Sequence, residues 1–517
     1  MRIIDGPASR VVVVGAGLAG LAAALHLAGR GREVTVVERE ATPGGRAGRL
    51  DLDGYRLDTG PTVLTMPGLI ADALGAVGED LGDRLDLVRL EPAYRAMFAD
   101  GSRLDVHTDP DAMAEGIAAF AGPAEAVGYR RLRAWLTELY RVEFGRFIAA
   151  NVDSPLSLAV PDLARLAGLG AFRRLEPAIG RFLRDERLRR VFTFQSLYAG
   201  QSPQQALAVF AVIAYMDTVA GVSFPRGGMR AVPDALAGAA EAAGVRFHYG
   251  STVTGLNRAG TRIRAVRTGD GLRIPCDAVV LATELAAAYR LLGRPPRRPL
   301  PLRPAPSAVV LHVGAGRRWP DRAHHTILFG GAWRRTFREV IAEGRPMSDP
   351  SLLVTRPTAT DTGLAPAGTD LLCILAPAPN LDRGRIDWDT ESGPYADHLA
   401  ATVAGRLLPG LDTQIRASHL VTPADWARQG LAAGTPFSYA HSFFQSGPFR
   451  PGNLPRGADN AVLAGCGTVP GVGVPMALIS GRLAADRITG PVGARSRRFV
   501  TSGTAGVKRA RDRGRAS

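Results

Sequence analysis

Four consecutive valines, Val11–Val14, run directly into Gly15-Ala16-Gly17-Leu18-Ala19-Gly20, and Leu21–Ala28 continues apolar except for His26. This segment constrains the fold more than any other part of the chain. A short β-branched run with no alternation reads as a parallel strand buried on both faces. The glycine spacing then demands a tight turn into a helix. Gly15 permits the turn, Gly17 lets backbone approach a diphosphate, and Gly20 lets the helix pack close to the strand. A second strand, Glu33–Val37, ends at Glu38, eighteen residues after Gly20. An acid there can accept hydrogen bonds from a ribose diol and disfavours a 2′-phosphate. By hydropathy alone Val11–Gly29 could pass for a membrane span or a signal peptide, but its glycines divide it into strand and helix. No other apolar run reaches 18 residues, so no spanning segment is predicted.

A second glycine turn follows. Glu38-Arg39 leads to Pro43-Gly44-Gly45-Arg46 and then to Asp58-Thr59-Gly60-Pro61-Thr62. Backbone N–H groups and a cation in one turn suit a diphosphate, and a plain nicotinamide site does not need them. Gly244–Val253 reads as a strand, and Asp277–Thr283 as another buried strand. Near the end, Asn460–Met476 passes from strand to a loop without bulky polar side chains, and a helix follows through Ala485. The helix start near Val474 would direct its positive end at a ring edge that gains negative charge on reduction.

The fold class predicted is therefore α/β, a Rossmann-like nucleotide-binding domain with an inserted α+β substrate domain and a helical membrane-facing part. The nucleotide domain is expected to be discontinuous, over 1–100, 225–300 and 430–490, with the substrate part over 101–224 and 301–429. Residues 491–517 carry eight basic residues against Asp512 alone, nearly half of the chain's +15 net charge. That tail is expected to be disordered, either simply solvated or drawn to an anionic surface. Three widely spaced cysteines exclude a disulfide framework. Aromatic content of 6% weakens a stacking platform for nucleic acid, and no binding motif supports that class, so no nucleic-acid partner is expected. No metal-ligand cluster and no Ser–His–Asp set stands out. Leu156–Phe182 has an apolar stripe beside Arg165, Arg173 and Arg174, which fits a core helix face or an interfacial helix. Ala206–Met216 is eleven apolar residues, expected as a buried core helix.

Several phrases together resemble the bacterial-type carotenoid desaturases, and among them the actinobacterial phytoene desaturases, within the amine oxidase-like FAD superfamily. They are Asp58-Thr59-Gly60-Pro61-Thr62-Val63, Phe224-Pro225-Arg226-Gly227-Gly228-Met229, Ala323-His324-His325-Thr326-Ile327, Arg356-Pro357-Thr358-Ala359-Thr360-Asp361 and Gly465–Pro475. The resemblance implies FAD as cofactor. It places Gly15, Ala16, Gly17, Gly20, Glu38, Arg39, Gly45, Arg46, Gly60, Pro61, Thr62, Val253, Gly467 and Val474 around it. It implies successive dehydrogenation of phytoene towards lycopene by hydride transfer to the flavin, with quinone or oxygen as the final electron acceptor. It also implies a cytoplasmic enzyme peripheral to the inner face of the cell membrane, since the substrate is a membrane-dissolved hydrocarbon. The alternative is another FAD oxidoreductase of the superfamily, acting on a modified carotenoid or an amine. The acid/base group is open: Asp162, Glu143, His324 and His325 are candidates by chemistry alone.

Overall fold

The computed structural model describes residues 1–154, 158–294 and 301–492. The basic tail from 493 onward, and the start of the Leu156–Phe182 stretch, lie outside the described residues.

At the centre is a five-stranded parallel sheet, in the spatial order Arg246–His248, Glu33–Val37, Arg10–Val14, Ala278–Leu281 and Ala461–Leu463. Val11–Val14, Ala278–Leu281 and Ala461–Leu463 are continuous apolar runs because both faces there are covered, whereas the edge strand Arg246–His248 is mostly polar and partly exposed. Val11, Val13, Val34 and Val36 pack with the helices Leu18–Ala28, Ala231–Ala242 and Val474–Thr489. Val12, Val14, Val279 and Leu281 face the other way, onto Ile263 and Val266 of the antiparallel sheet Val253–Ala259, Arg262–Thr268, Arg273–Pro275. The first and last helices lie against each other through small residues: a Cβ on Gly481 would stand 2.3 Å from the Ala19 carbonyl oxygen. The chain's two ends thus close one nucleotide-type layer.

The predicted strand Gly244–Val253 is in fact two strands in two sheets. Gly250, at φ +66°, breaks it, and Gly250 and Ser251 donate their N–H groups to the Glu40 and Glu38 carbonyls. This turn brings Val253 round to the nucleotide side.

The inserted part is built on a seven-stranded sheet: Ile415–Val421, Ser307–Ala315, Asp370–Ala378, Leu352–Thr355, His325–Leu328, Tyr94–Met97 and Arg103–Val106. One face, with Val309, Leu311, Leu372 and Ile374, packs on the helix Trp388–Arg406. The break expected at residue 100 falls inside this sheet, because Thr326–Leu328 pair in parallel with Arg95–Met97. A sequence cut there separates two strands of one hairpin.

Helices complete the insert. Leu156–Phe182 is not one amphipathic helix: the described part holds two short ones, Pro161–Gly168 and Leu175–Gly180, parted by a turn at Gly170, φ +79°. Ala206–Met216 is likewise not a plain core helix. It starts as a 3₁₀ turn, becomes the short helix Ala211–Tyr215 and widens into a π turn over Met216–Ala220. Its Val209, Phe210 and Ile213 are half-buried on the wall of a cavity. No helix among the described residues is long and apolar enough to cross a membrane.

Candidate active site

Between the two large sheets lies a cavity of about 1890 Å³. A pocket for one small ligand is typically ~300–1,000 Å³, so there is room here for more than one molecule. One arm is lined by Gly15, Gly17, Glu38, Arg39, Gly45, Arg46, Gly60, Pro61, Thr62, Val253 and Val474. The other is lined by apolar side chains of the insert, among them Leu163, Phe172, Leu207, Phe210, Met216, Val310, Leu375 and Trp426.

The first arm is made of backbone. Gly15, at φ +104°, turns the chain, and a Cβ on Gly20 would stand 1.9 Å from the Gly15 carbonyl oxygen. A Cβ on Gly17 would meet nothing within 4 Å and would project into the cavity. Gly44 donates its N–H to the Ala16 carbonyl at 2.9 Å, so the second glycine turn packs on the first. The helices Leu18–Ala28 and Val474–Thr489 both begin at uncapped glycines, Gly17 and Gly473, that line this cavity. Their first-turn N–H groups are left for a ligand. Two uncapped helix starts, an open glycine and a flanking carboxylate suit a dinucleotide with a diphosphate and an electron-accepting ring.

Glu38 is buried; it accepts the Ala16 N–H at 2.6 Å and the Glu40 N–H at 3.0 Å. It therefore ties the glycine loop to the second strand while its edge remains on the cavity. Arg39, also on the lining, donates to the Glu40 carboxylate and to the Gln429 carbonyl. Arg46 pairs with Glu284 and lies beside the Cys466 thiol. Ala16, Gly20 and Gly467 stand behind the wall rather than on it; a Cβ on Gly467 would meet Leu285 at 2.5 Å.

The phrases that stood out in the sequence interlock. The Asp58 carboxylate accepts the Met229 and Arg230 N–H groups at 2.8 and 3.1 Å, and a side chain on Gly228 would strike it. Burial pushes Asp58 up to about 6, against the two backbone donors. Asp361 accepts the Gly227 N–H at 2.7 Å, and the His324 Nδ1 meets the Thr360 hydroxyl at 2.7 Å. Distant segments are thereby clamped around the Gly60–Thr62 wall.

The four acid/base candidates separate. Asp162 lies off the cavity, beside Arg146 at 3.5 Å. His324 and His325 are buried with their rings 4.5 Å apart, and neither reaches the cavity. Burial holds His324 well below its ordinary value and lowers His325 to about 3, so both are neutral. His325 touches the wall only indirectly, through the Thr355 hydroxyl, which donates to Thr62 at 3.2 Å. Glu143 does line the cavity, just before the π turn Phe144–Ile148, and burial holds its carboxyl well above the usual range. Further ionisable groups on the apolar arm were not read from the sequence, among them Asp217, at 3% exposure, and His441. Asp217 directly follows the apolar run Ala206–Met216, where an acid reads as the solvent-facing end of a helix.

This chain belongs to the flavin containing amine oxidoreductase family, whose pattern matches residues 18–489. Its cofactor is FAD, whose diphosphate suits the open N–H groups of the first arm. Within that class, the chain is 64% identical over 507 residues to the phytoene dehydrogenase of Streptomyces griseus, covering 98% of this chain and all of that protein. It is 37% identical to the zeta-carotene-forming phytoene desaturase of Myxococcus xanthus, over 93% of each chain. Among solved structures, an oxidoreductase from Methanosarcina mazei shares the fold with a TM-score of 0.61 at 18% identity, covering 91% of this chain and 98% of that one.

Proposed function

We propose that this chain is an FAD-dependent carotenoid desaturase that removes hydrogen pairs from phytoene, stepwise towards lycopene. The observation that carries the reading is the second arm: a large apolar lining in the same cavity as the FAD arm, in a chain so similar to a phytoene dehydrogenase. A C40 hydrocarbon offers no polar handle, so such a site must work by shape and dryness. Bound FAD supplies the acceptor for a hydride. The protein's part is to hold the polyene against the Gly60–Thr62 wall, to exclude water, and to take up a proton. Electrons then leave to a quinone or to oxygen.

The substrate enters from a bilayer, and the enzyme sits on the inner face of the cell membrane without spanning it. Phe172 and Phe443 support this, since both are exposed and both line the cavity, at its rim. The test is to supply phytoene in liposomes to the FAD-loaded protein, with quinone or with oxygen, and to follow the lengthening chromophore. Successive absorption bands at longer wavelength are expected. Absence of product while a primary amine bleaches the flavin would move the chain to the amine-oxidising side of its family.

A further inference from the structure

We propose that the Asp217 carboxylate, on the wall of the apolar arm, is the catalytic base that takes the proton from phytoene. The inference rests on the desaturase reading above and adds the residue that completes the reaction. Removing two hydrogens from adjacent carbons breaks two C–H bonds. One hydrogen leaves with its electron pair, as hydride, to oxidised FAD. The other leaves as a proton, and the pair it leaves behind forms the new C=C bond. The carboxylate becomes a carboxylic acid and must pass its proton on to water before the next turn.

Three observations converge on Asp217. The first is position. It lies in the π turn Met216–Ala220, which packs against the strand Leu64–Thr65, directly after the Gly60–Thr62 wall of the FAD arm. It is therefore a carboxyl of the apolar arm at the junction with the redox arm. The second is local geometry. The wider π turn is a feature concentrated at functional sites, and here the Thr218 hydroxyl bonds back to the Ala214 carbonyl at 2.7 Å. Asp217 is not used as a cap. The third is an unused acceptor: Asp217 is 3% exposed, yet its Oδ2 has no hydrogen-bond partner among the described residues. A buried carboxylate oxygen left unpaired is costly, and such a group needs a reason to be there.

The groups around it suit the role. The Tyr94 hydroxyl and the Gln195 amide face the carboxyl, and Tyr198, also on the cavity, is close enough to feel its charge. Arg133, on the helix Pro123–Glu143, is directed at the Tyr129 hydroxyl and, at 3.5 Å, the Thr218 carbonyl, so among the described residues it forms no ion pair with the carboxylate. Burial raises Asp217 to about 7, with Tyr94 and Gln195 opposing it. A base is most effective when its pKa lies near the working pH. Glu143, held well above its usual range, keeps its proton. His441, lowered by burial and by Arg450, is too weak a base.

The experiment compares wild type with Asp217→Asn and Asp217→Glu, each loaded with FAD and given phytoene in liposomes. Asp217→Asn should slow product formation ~10²–10⁴-fold, with FAD content and KM little changed, and Asp217→Glu should recover part of the loss. The wild-type rate should rise with pH through about 7, as the carboxylate forms. In substrate-free wild type, an infrared band of a protonated carboxyl should fade over the same range and be missing from Asp217→Asn. An Asp217→Asn enzyme that keeps its rate and its pH profile overturns the proposal. Should that variant fail to fold, a flat wild-type pH profile or an infrared band that does not titrate overturns it instead. A wild type that makes no product at all sinks the desaturase reading, whereas the infrared titration still reports on Asp217.

Discussion

The two arms of the cavity are built from opposite materials. The FAD arm is largely backbone, with Gly15, Gly17, Gly45 and Gly60 and two uncapped helix starts whose N–H groups are open to a ligand. The apolar arm is side chain, supplied by short, irregular helices and one face of the seven-stranded sheet. Backbone walls leave almost no freedom, because a single added Cβ either clashes or fills the ligand's space. Side-chain walls can repack, so their length and shape can change without rebuilding the fold. On the proposed function, the fixed chemistry sits in the first arm and substrate choice in the second.

The sharpest way to break this contrast uses two glycines three residues apart. Gly20→Val puts a side chain where a Cβ already stands 1.9 Å from the Gly15 carbonyl oxygen. Loss of soluble protein is expected. Gly17 has φ −71° and open space in front of it, so Gly17→Val should fold with near-normal thermal stability and carry no FAD. The ratio of flavin to protein absorbance decides it. A yellow Gly17→Val protein would mean the glycine arm holds something other than the diphosphate.

A smaller effect is expected at Glu38, which serves both the loop and the ligand. Charged hydrogen bonds are worth ~1.5–3 kcal/mol each, so Glu38→Ala should weaken FAD binding roughly ten- to hundredfold. It should also lower the melting temperature of the FAD-free protein, because the Ala16 N–H loses its acceptor. A lower melting temperature with unchanged affinity would confine Glu38 to holding the loop.

In the apolar arm the matching probe is Glu143→Gln. Burial holds this carboxyl well above its ordinary range, so the folded chain retains a proton that the unfolded chain releases. Its contribution to stability is full below the unfolded value of about 4.3 and falls as pH rises towards the folded value, by up to ~1.4 kcal/mol per pH unit. Glu143→Gln should therefore be more stable than wild type at pH 8, with the gap closing near pH 4. A gap that widens towards acid would show Glu143 ionised and paired in the folded state.

The same division explains what the sequence made legible. Glu33–Val37 and the start of the last helix at Val474 stand where they were expected, since β-branched runs and glycines mark them locally. The substrate arm has no such local code. Leu156–Phe182 reads as one helix from its spacing, yet Gly170 turns left-handed and splits it. The strand Tyr94–Met97 joins the insert only because residues 326–328, far along the chain, pair with it. Asp217 was invisible for a similar reason. It ends an apolar run, and only the fold brings Tyr94, Gln195 and Tyr198 around it.

The smallest expected effects lie at the rim of the apolar arm, where the proposed bilayer contact can be divided into grease and charge. Phe172 is 44% exposed and lines the cavity, and Arg173 beside it is exposed. Fully burying a phenylalanine is worth ~1.5–3 kcal/mol, so Phe172→Ser should lower liposome binding by about tenfold or somewhat more, and equally at all salt concentrations. A basic residue near an anionic surface contributes ~1 kcal/mol, roughly fivefold in binding. Arg173→Ala should show that loss only on anionic liposomes at low salt, because screening within about 8 Å at physiological ionic strength weakens it. Flotation of the two variants against a salt series separates the terms. If Phe172→Ser floats as wild type does, the open end of the apolar arm does not face the bilayer. If Arg173→Ala alone is unchanged, the contact there is apolar and the neighbouring arginines do not steer it.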